Sequence, residues 1–395
     1  MRRRENIGFL ILLLAVFLWG GIVFVKDETS TSILENRKLD TFQHFTLNDF
    51  ISGDFQDGFE NTLSDQFIGS EQIRAFYKQT LAHLPNFGIE ENLCHNRYLE
   101  LQTVNQEVKR GIYNCDDYIV YLPATLSDDT KGIINENIEK YNHLNSLASV
   151  YYYFVDDPSS FDFVQNKKVI DYYGELKSKM KGEKALEKLD WDSFEEYKKY
   201  YYKNDHHWNY VGSYQGYLNI AKMLGIKEVV EPKGTYTNHE DFYGSYSRNT
   251  NNFDYHDEFI FYEFDLPEHD TLINHKPQKY NHYDEYKKHE YEYNEAENYY
   301  AYVYGDDYGE VVFDYNEPKK ENLLIIGNSY SNPVNELIAS NYNKTYVVDL
   351  RYYKESIGKD FVPKDYITEN NIDKVLVIMS PTFIRLEEPN RGLEL

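Results

Sequence analysis

The spacing of hydrophobic positions changes several times along the chain, and each change predicts a different kind of element. Residues 7–25, IGFLILLLAVFLWGGIVFV, form a run of 19 residues without a charge. As a helix that run is about 28 Å long, close to the thickness of a bilayer's hydrocarbon core. Further on, Phe50, Phe55, Phe59, Leu63, Phe67 and Ile73 recur at roughly helical intervals, although Gly53, Gly58 and Gly69 weaken that helix. From about residue 86 short apolar runs alternate with amphipathic stretches. DYIVYLPA at 117–124 predicts a strand running into a Pro turn. Residues 127–148 predict an amphipathic helix capped near Ser127 or Asp128, and SVYYYFVDD a buried strand. Strand, helix and strand in that order suggest a parallel βαβ unit.

After Gly225 the pattern degrades. Residues 227–320 are rich in Tyr, His, Asp, Glu and Asn and read as an insertion of short strands and loops. Within it YYAYVYG and GEVVFDY alternate, which predicts a hairpin around GDDYG. The α/β pattern then resumes. ENLLIIG, KTYVVDLRYY and IDKVLVIMS predict strands, and NPVNELIASNY a helix. Continuous apolar strands are those buried on both faces, as in a parallel sheet. The expected fold is therefore α/β with a mostly parallel sheet. The expected organisation is a cytoplasmic tail (1–6), a transmembrane anchor (7–25), a juxtamembrane helical region (26–85), and a catalytic domain (86–395) carrying the insertion at about 227–320.

Charge narrows the partners. Against 41 Lys and Arg stand 66 Asp and Glu, a net charge of −25. Phosphate binding needs clustered cations, so nucleic acid and anionic lipid are poor partners. The apolar run has Arg2, Arg3 and Arg4 before it and Lys26, Asp27 and Glu28 after it. The positive-inside rule leaves the N-terminus in the cytoplasm and the rest of the chain outside. The run is longer than the core of a cleaved signal peptide, and no small-x-small site follows it, so it reads as an uncleaved anchor. The chain is expected at the cell membrane, single-pass, with its main domain extracytoplasmic.

Several residue types mean less than they suggest. The 40 tyrosines suit sugar-lined clefts, but compositional bias explains them as simply. Cys94 and Cys115 are the only cysteines. Outside the membrane they could close a loop of about 20 residues as a disulfide worth roughly 3 kcal/mol, or stay unpaired. They show no CxxC spacing, and His256, His269, His275, His282 and His289 lack tight ligand spacing, so no metal is expected. No GxGxxG or GxxxxGK[ST] motif follows a strand, so no nucleotide cofactor is expected either.

Two short segments carry candidate chemistry. In LLIIGNSYSNP a buried strand ends at Gly327 and turns through Asn328, Ser329 and Tyr330 into a helix. Sites in open α/β sheets form beyond the carboxyl ends of strands. A serine there projects its hydroxyl, and the N–H groups at the helix start can stabilise an oxyanion. Alone, Ser329 or Ser331 is an ordinary helix cap. The second segment, KNDHHWNY, places Asp205 and His207 two residues apart before another helix. In an extended or turn segment such a pair points to one side, with His206 on the other. Alone, this too reads as a cap. Together the segments offer a nucleophile, Ser329, a base, His207, and a carboxylate to orient it, Asp205.

These motifs resemble those of the DHHW family, relatives of the alginate O-acetyltransferase-type SGNH-hydrolase-like proteins. NDHHW precedes GNSYS, a circularly permuted order relative to ordinary SGNH esterases. ENRKL at 35–39, DQF at 65–67 and VDLRYY at 348–353 look like further family segments. The resemblance implies a three-layer SGNH-hydrolase-like fold, with Asp205, His207 and Ser329 as the catalytic residues. It also implies O-acetylation of a surface polysaccharide, with acyl groups delivered by a multispanning membrane acyltransferase. An esterase using the same triad, or a non-catalytic glycan-binding component, are the alternatives. For the oxyanion, the backbone N–H of Ser329 or Tyr330 comes first and Arg351 second, although Arg351 reads equally as a surface ion pair. Trp208 and Tyr330 are candidates to line a sugar subsite by stacking, although Trp208 reads at least as well as plain helix packing.

Overall fold

The computed structural model of the chain describes mainly residues 128–157, 171–191, 193–250, 256–280 and 299–393, with shorter stretches between 28 and 121. The run at 7–25, Cys94 and the side chain of Cys115 lie outside the described residues, so the expected anchor and disulfide do too. Among the described residues no helix is long and apolar enough to cross a membrane.

The chain divides into two compact units, one of Met1–Phe87 with Ser245–Asp254 and one of Gly88–Gly244 with Tyr255–Leu395. In the first, a helix spans Asp54–Gln66. It forms where the Phe spacing predicts, and Gly58 does not break it. Phe59 packs on Phe42 at 5.7 Å and on Phe55 at 6.0 Å. Gln66 donates to the Asp40 carbonyl, and the Asp65 carboxylate accepts from the Asp40 N–H.

The second unit is built on one sheet. Its strands, in chain order, are β1 (Val150–Phe154), β2 (Ala185–Lys188), β5 (Asp270–Ile273), β6 (Lys276–Pro277), β7 (Glu310–Asp314), β8 (Leu323–Ile326), β9 (Lys344–Val348) and β10 (Lys374–Met379). A separate antiparallel ribbon pairs β3 (Gly234–Phe242) with β4 (Asp257–Glu263). The sheet order is β6-β5-β7-β9-β8-β10-β1-β2. The pairs from β9 through β2 are parallel, and β7 and the β5–β6 hairpin close the other edge antiparallel.

The helices are α1 (Asp128–Leu147), α2 (Tyr172–Lys179), α3 (Phe194–Tyr200), α4 (Tyr210–Leu224), α5 (Tyr299–Tyr304), α6 (Asn332–Ala339), α7 (Tyr353–Ile357), α8 (Pro363–Glu369) and α9 (Pro381–Arg385). Alternate strand residues feed two cores, which makes the unit three-layered. Leu323 and Ile325 pack with Tyr217, Ile220, Val334 and Ile338 from α4 and α6. Leu324 and Ile326 pack with Ile134, Ile138, Leu176 and Phe383 from α1, α2 and α9. All four β8 side chains are fully buried, each worth about 1.5–3 kcal/mol of transfer free energy. That explains why this strand shows no polar alternation.

Two sequence expectations fail, each for a local reason. The run before α1 forms strand Tyr118–Tyr121, but it pairs antiparallel with Ile112–Cys115 in a two-stranded sheet of its own. It therefore supplies no first strand to a βαβ unit. Its Ile119 N–H instead donates to the Lys203 carbonyl at 2.7 Å. Second, YYAYVY is a helix, α5, and not a hairpin strand. Tyr299, Tyr300, Val303 and Tyr304 are its buried residues, the spacing of one helical face. The insertion does hold short strands, and β5, β6 and β7 among them extend the central sheet.

Candidate active site

The nucleophile's side is built by β8 and its neighbours. β8 lies between β9 and β10, and the chain leaves it for β9 on one side and returns to β10 on the other. That is a topological switch point, where a crevice opens at the carboxyl ends of the strands. Gly327 extends the pairing, donating to the Val348 carbonyl. Its φ is not among the positive ones, so it is not needed for an unusual turn. Glycine is needed because a Cβ would sit 2.7 Å from Ser331 Oγ. The turn closes with Ser331 N–H donating to the Asn328 carbonyl at 2.7 Å, and Ser331 Oγ donating to it at 2.9 Å. Ser331 begins α6 without side-chain capping, and Ser329 stays partly accessible.

The base's side is the loop between α3 and α4. Tyr201 and Trp208 form an isolated β-bridge that pinches it shut. Asn209, and not Asp205, caps α4, its side chain accepting from the N–H groups of Val211 and Gly212. The Asp205 carboxylate is thereby left for other work. It is buried and accepts from the His207 N–H at 2.9 Å and from His207 Nδ1 at 2.6 Å. A carboxylate only accepts, so Nδ1 carries the proton and the Nε2 lone pair is bare. His207 Nε2 stands 2.8 Å from Ser329 Oγ. Asp205, His207 and Ser329 thus form one continuous hydrogen-bonded line, in the geometry that lets a neutral imidazole take a hydroxyl proton.

Of four other residues, Trp208 and Arg351 take their plainer readings, and His206 and Tyr330 depart from expectation. His206 does not face away. Its ring lies 3.7 Å from that of His207, and its Nδ1 is 3.6 Å from Asp205 Oδ1. Trp208 is fully buried and so offers no face to a sugar. It packs on Tyr153 and Tyr330, and a Cβ at Gly216 of α4 would lie 2.4 Å from its ring. Tyr330 is also buried, and its hydroxyl donates to the His206 carbonyl at 2.7 Å. Burial raises its phenol well above the ordinary value, so it braces the base loop as a neutral donor. Its N–H is used locally, donating to Asn328 Oδ1 at 3.2 Å, which leaves the Ser329 N–H as the better oxyanion candidate. Arg351 is turned onto carboxylates, Asp349 at 2.5 Å and Asp307 at 3.2 Å. Burial pushes Asp349 up to about 6 although Arg351 pulls it down. Arg351 is thus held in an ion pair beyond β9, where its Nε and Nη2 are already engaged.

Sequence reasoning missed Tyr300, on α5. Its ring stacks on His207 and its hydroxyl donates to the Ser329 carbonyl. The signal was the helical spacing inside YYAYVY. Asp205, His206 and His207 also offer ligand atoms within 4.8 Å of one another, the arrangement of a candidate metal group. Both ring nitrogens of His207 are already committed to Asp205 and Ser329, and the geometry fits a proton relay better than a metal centre.

Fold and site together define a three-layer α/β domain with a Ser-His-Asp line at the carboxyl ends of its parallel strands. No family model matches the chain, and no curated protein matches it. Among solved structures it is similar to PatB1 of Bacillus cereus, with 18% identity, a TM-score of 0.54, and coverage of 71% of this chain and 99% of that one. PatB1 with a sulfonyl adduct matches at 17% identity and a TM-score of 0.54, covering 71% and 98%. A DHHW family protein from Eubacterium siraeum matches at 19% identity and a TM-score of 0.49, covering 71% and 93%. The likeness is one of fold.

Proposed function

We propose that this chain is an extracytoplasmic Ser-His-Asp acyltransferase that O-acetylates a cell-surface or secreted polysaccharide through an acyl-Ser329 intermediate. The line from Asp205 through His207 to Ser329 carries this reading. Ser329 Oγ attacks the carbonyl carbon of an acyl ester while His207 Nε2 takes its proton. The tetrahedral oxyanion collapses, and the imidazolium returns that proton to the leaving oxygen. A sugar hydroxyl then gives its proton to His207 and attacks the acyl-serine, and Ser329 Oγ leaves reprotonated. Asp205 holds the imidazole tautomer throughout. The sulfonyl adduct of a similar structure supports the reading only by chemistry, since sulfonylation traps activated hydroxyls and Ser329 is the group here that would take it.

The apolar run at 7–25 and its flanking charges support an anchor that holds the domain outside the membrane, where no cytoplasmic acyl-CoA reaches. A multispanning membrane acyltransferase is then the partner that supplies the acyl group. The test is to incubate the full chain with an acyl ester, with and without an acceptor sugar, and to look for a Ser329-linked acyl adduct by mass spectrometry. Ser329→Ala is expected to abolish the adduct and to lower turnover by at least about a thousandfold. Hydrolysis indifferent to the acceptor would make the protein an esterase. Unchanged hydrolysis and unchanged surface acylation in Ser329→Ala would leave only the non-catalytic role.

A further inference from the structure

Tyr300 comes from the Tyr-rich stretch and belongs to neither motif, yet it touches both halves of the site. Its ring lies over the His207 imidazole with centroids 3.8 Å apart and planes 10° apart. Its hydroxyl donates to the Ser329 carbonyl at 3.0 Å. It is buried, and burial, with Tyr304, Asp205 and Tyr330 around it, raises its phenol well above the ordinary value. The side chain therefore stays neutral and keeps an electron-rich face.

Parallel stacking serves two neutral aromatic rings only when they are offset. It is a good arrangement for a cation over a π face. The stack therefore gains further when His207 holds the proton of Ser329. Resting on the triad reading above, we propose that Tyr300 is a positioning residue whose ring favours the imidazolium of His207 during acyl transfer and whose hydroxyl fixes the Ser329 peptide. Other titratable groups also face His207. Asp205 favours the cation from the same loop, His206 opposes it when protonated, and Tyr330 from the turn before α6 lies 5.2 Å from the ring. Removing Tyr300 alone separates its part from theirs.

The test is the pH dependence of Ser329 labelling by a sulfonyl fluoride on the full chain, in wild type, Tyr300→Phe and Tyr300→Met. The acid limb of that profile reports the ionisation of His207. Tyr300→Phe keeps the ring, so its limb is expected to stay in place while the rate falls a few-fold. Tyr300→Met keeps an apolar filler without a π face. Its limb is expected to move to lower pH by about 0.5–1.5 units. A uniform fall in rate with no shift in Tyr300→Met would reduce Tyr300 to packing. An equal shift in Tyr300→Phe would assign the effect to the hydroxyl and overturn the stacking role. Tyr300→Leu replaces the Met variant where that chain does not fold. The His207 titration is also followed by NMR on histidine-labelled full chain, assigned with His207→Gln. This readout decides the proposal even where Ser329 fails to label in wild type, which would sink the triad reading alone: the same downward shift in Tyr300→Met supports it, and no shift overturns it.

Discussion

Ser329 leaves a strand paired on both sides, whereas His207 stands on a loop supported by packed aromatic rings. Behind Ser329, Ile326 is paired with Val348 and Val377, and the turn is closed by its own main chain. Behind His207, the support comes from far along the sequence. Trp208 packs against Tyr153 and Tyr330, Tyr202 against Phe242 and Phe259, and Tyr300 against His207 itself. Asn204 joins that shell, donating to the Phe242 carbonyl and accepting from the Gly244 N–H. Beyond the Tyr300 hydroxyl on its carbonyl, Ser329 is held by the sheet and its own turn. A base on a loop is held only as well as its surroundings are packed, and here most of those surroundings belong to the Tyr-rich stretch.

The largest expected effect separates the two histidines of the base loop. Asp205→Asn keeps the volume but weakens the hold on Nδ1–H and its tautomer. It is expected to lower the rate of acyl-Ser329 formation by about a thousand- to ten-thousandfold. His206→Ala removes a ring tilted against His207 but leaves the line from Asp205 through His207 to Ser329 in place, and a loss under about tenfold is expected. Burst-phase measurement of the acyl-enzyme checks both. Comparable losses would mean that His206, at 3.6 Å from the same carboxylate, shares the work.

Next comes a change that strikes the base loop from the insertion. A Cβ at Gly244 would stand 2.3 Å from Asp205 Cβ and 2.7 Å from the Asn204 carbonyl oxygen. Neither is the end of a flexible side chain, so the loop must shift. Gly244→Ala is expected to cost about ten- to a hundredfold in activity through misplacement of Asp205, with about 1–3 kcal/mol of stability lost to overpacking. Activity measured below the unfolding transition separates the two losses. Full activity in Gly244→Ala would show that the loop holds its geometry without help from the insertion.

This difference in support also governs what could be read from the sequence. β8, β9 and β10 were legible because strands buried on both faces leave unbroken apolar runs. Ser329 was legible because it follows such a run. Asp205 and His207 were legible as residue types, but their loop was not, since its pinch at Tyr201 and Trp208 leaves no periodic trace. The role of Tyr330 was misjudged, and Trp208 was left between two readings, for one reason. An aromatic beside a catalytic group reads equally as a sugar platform or as a prop, and only burial decides. Tyr300 was hidden deeper still. Six letters, YYAYVY, fit alternation and helix alike, and the helix wins because its Tyr and Val side chains pack with Phe242, Phe259 and Phe261 of the β3–β4 ribbon, contacts no local pattern announces.

The smallest expected effect lies where the two supports meet. Asp156 follows β1, and the Tyr201 hydroxyl donates to its main-chain carbonyl, tying the sheet to the base loop. Its carboxyl is pushed from 3.8 up to about 8, first by burial and then by Asp157. In the unfolded chain it ionises near its ordinary value, so between about pH 4 and pH 8 the unfolded state binds fewer protons than the folded one. The stability tied to this group is therefore fully present below about pH 4, falls as pH rises, and levels off above about 8. Asp156→Asn removes that loss. It is expected to raise the melting temperature by about 2–5 °C near pH 8.5, with the gain shrinking as pH falls towards 4. A gain independent of pH would mean that the carboxyl is already ionised in the folded chain. A drop at every pH would mean that the carboxylate holds the end of β1 in place, and that the base loop leans on the sheet more heavily than on its aromatic shell.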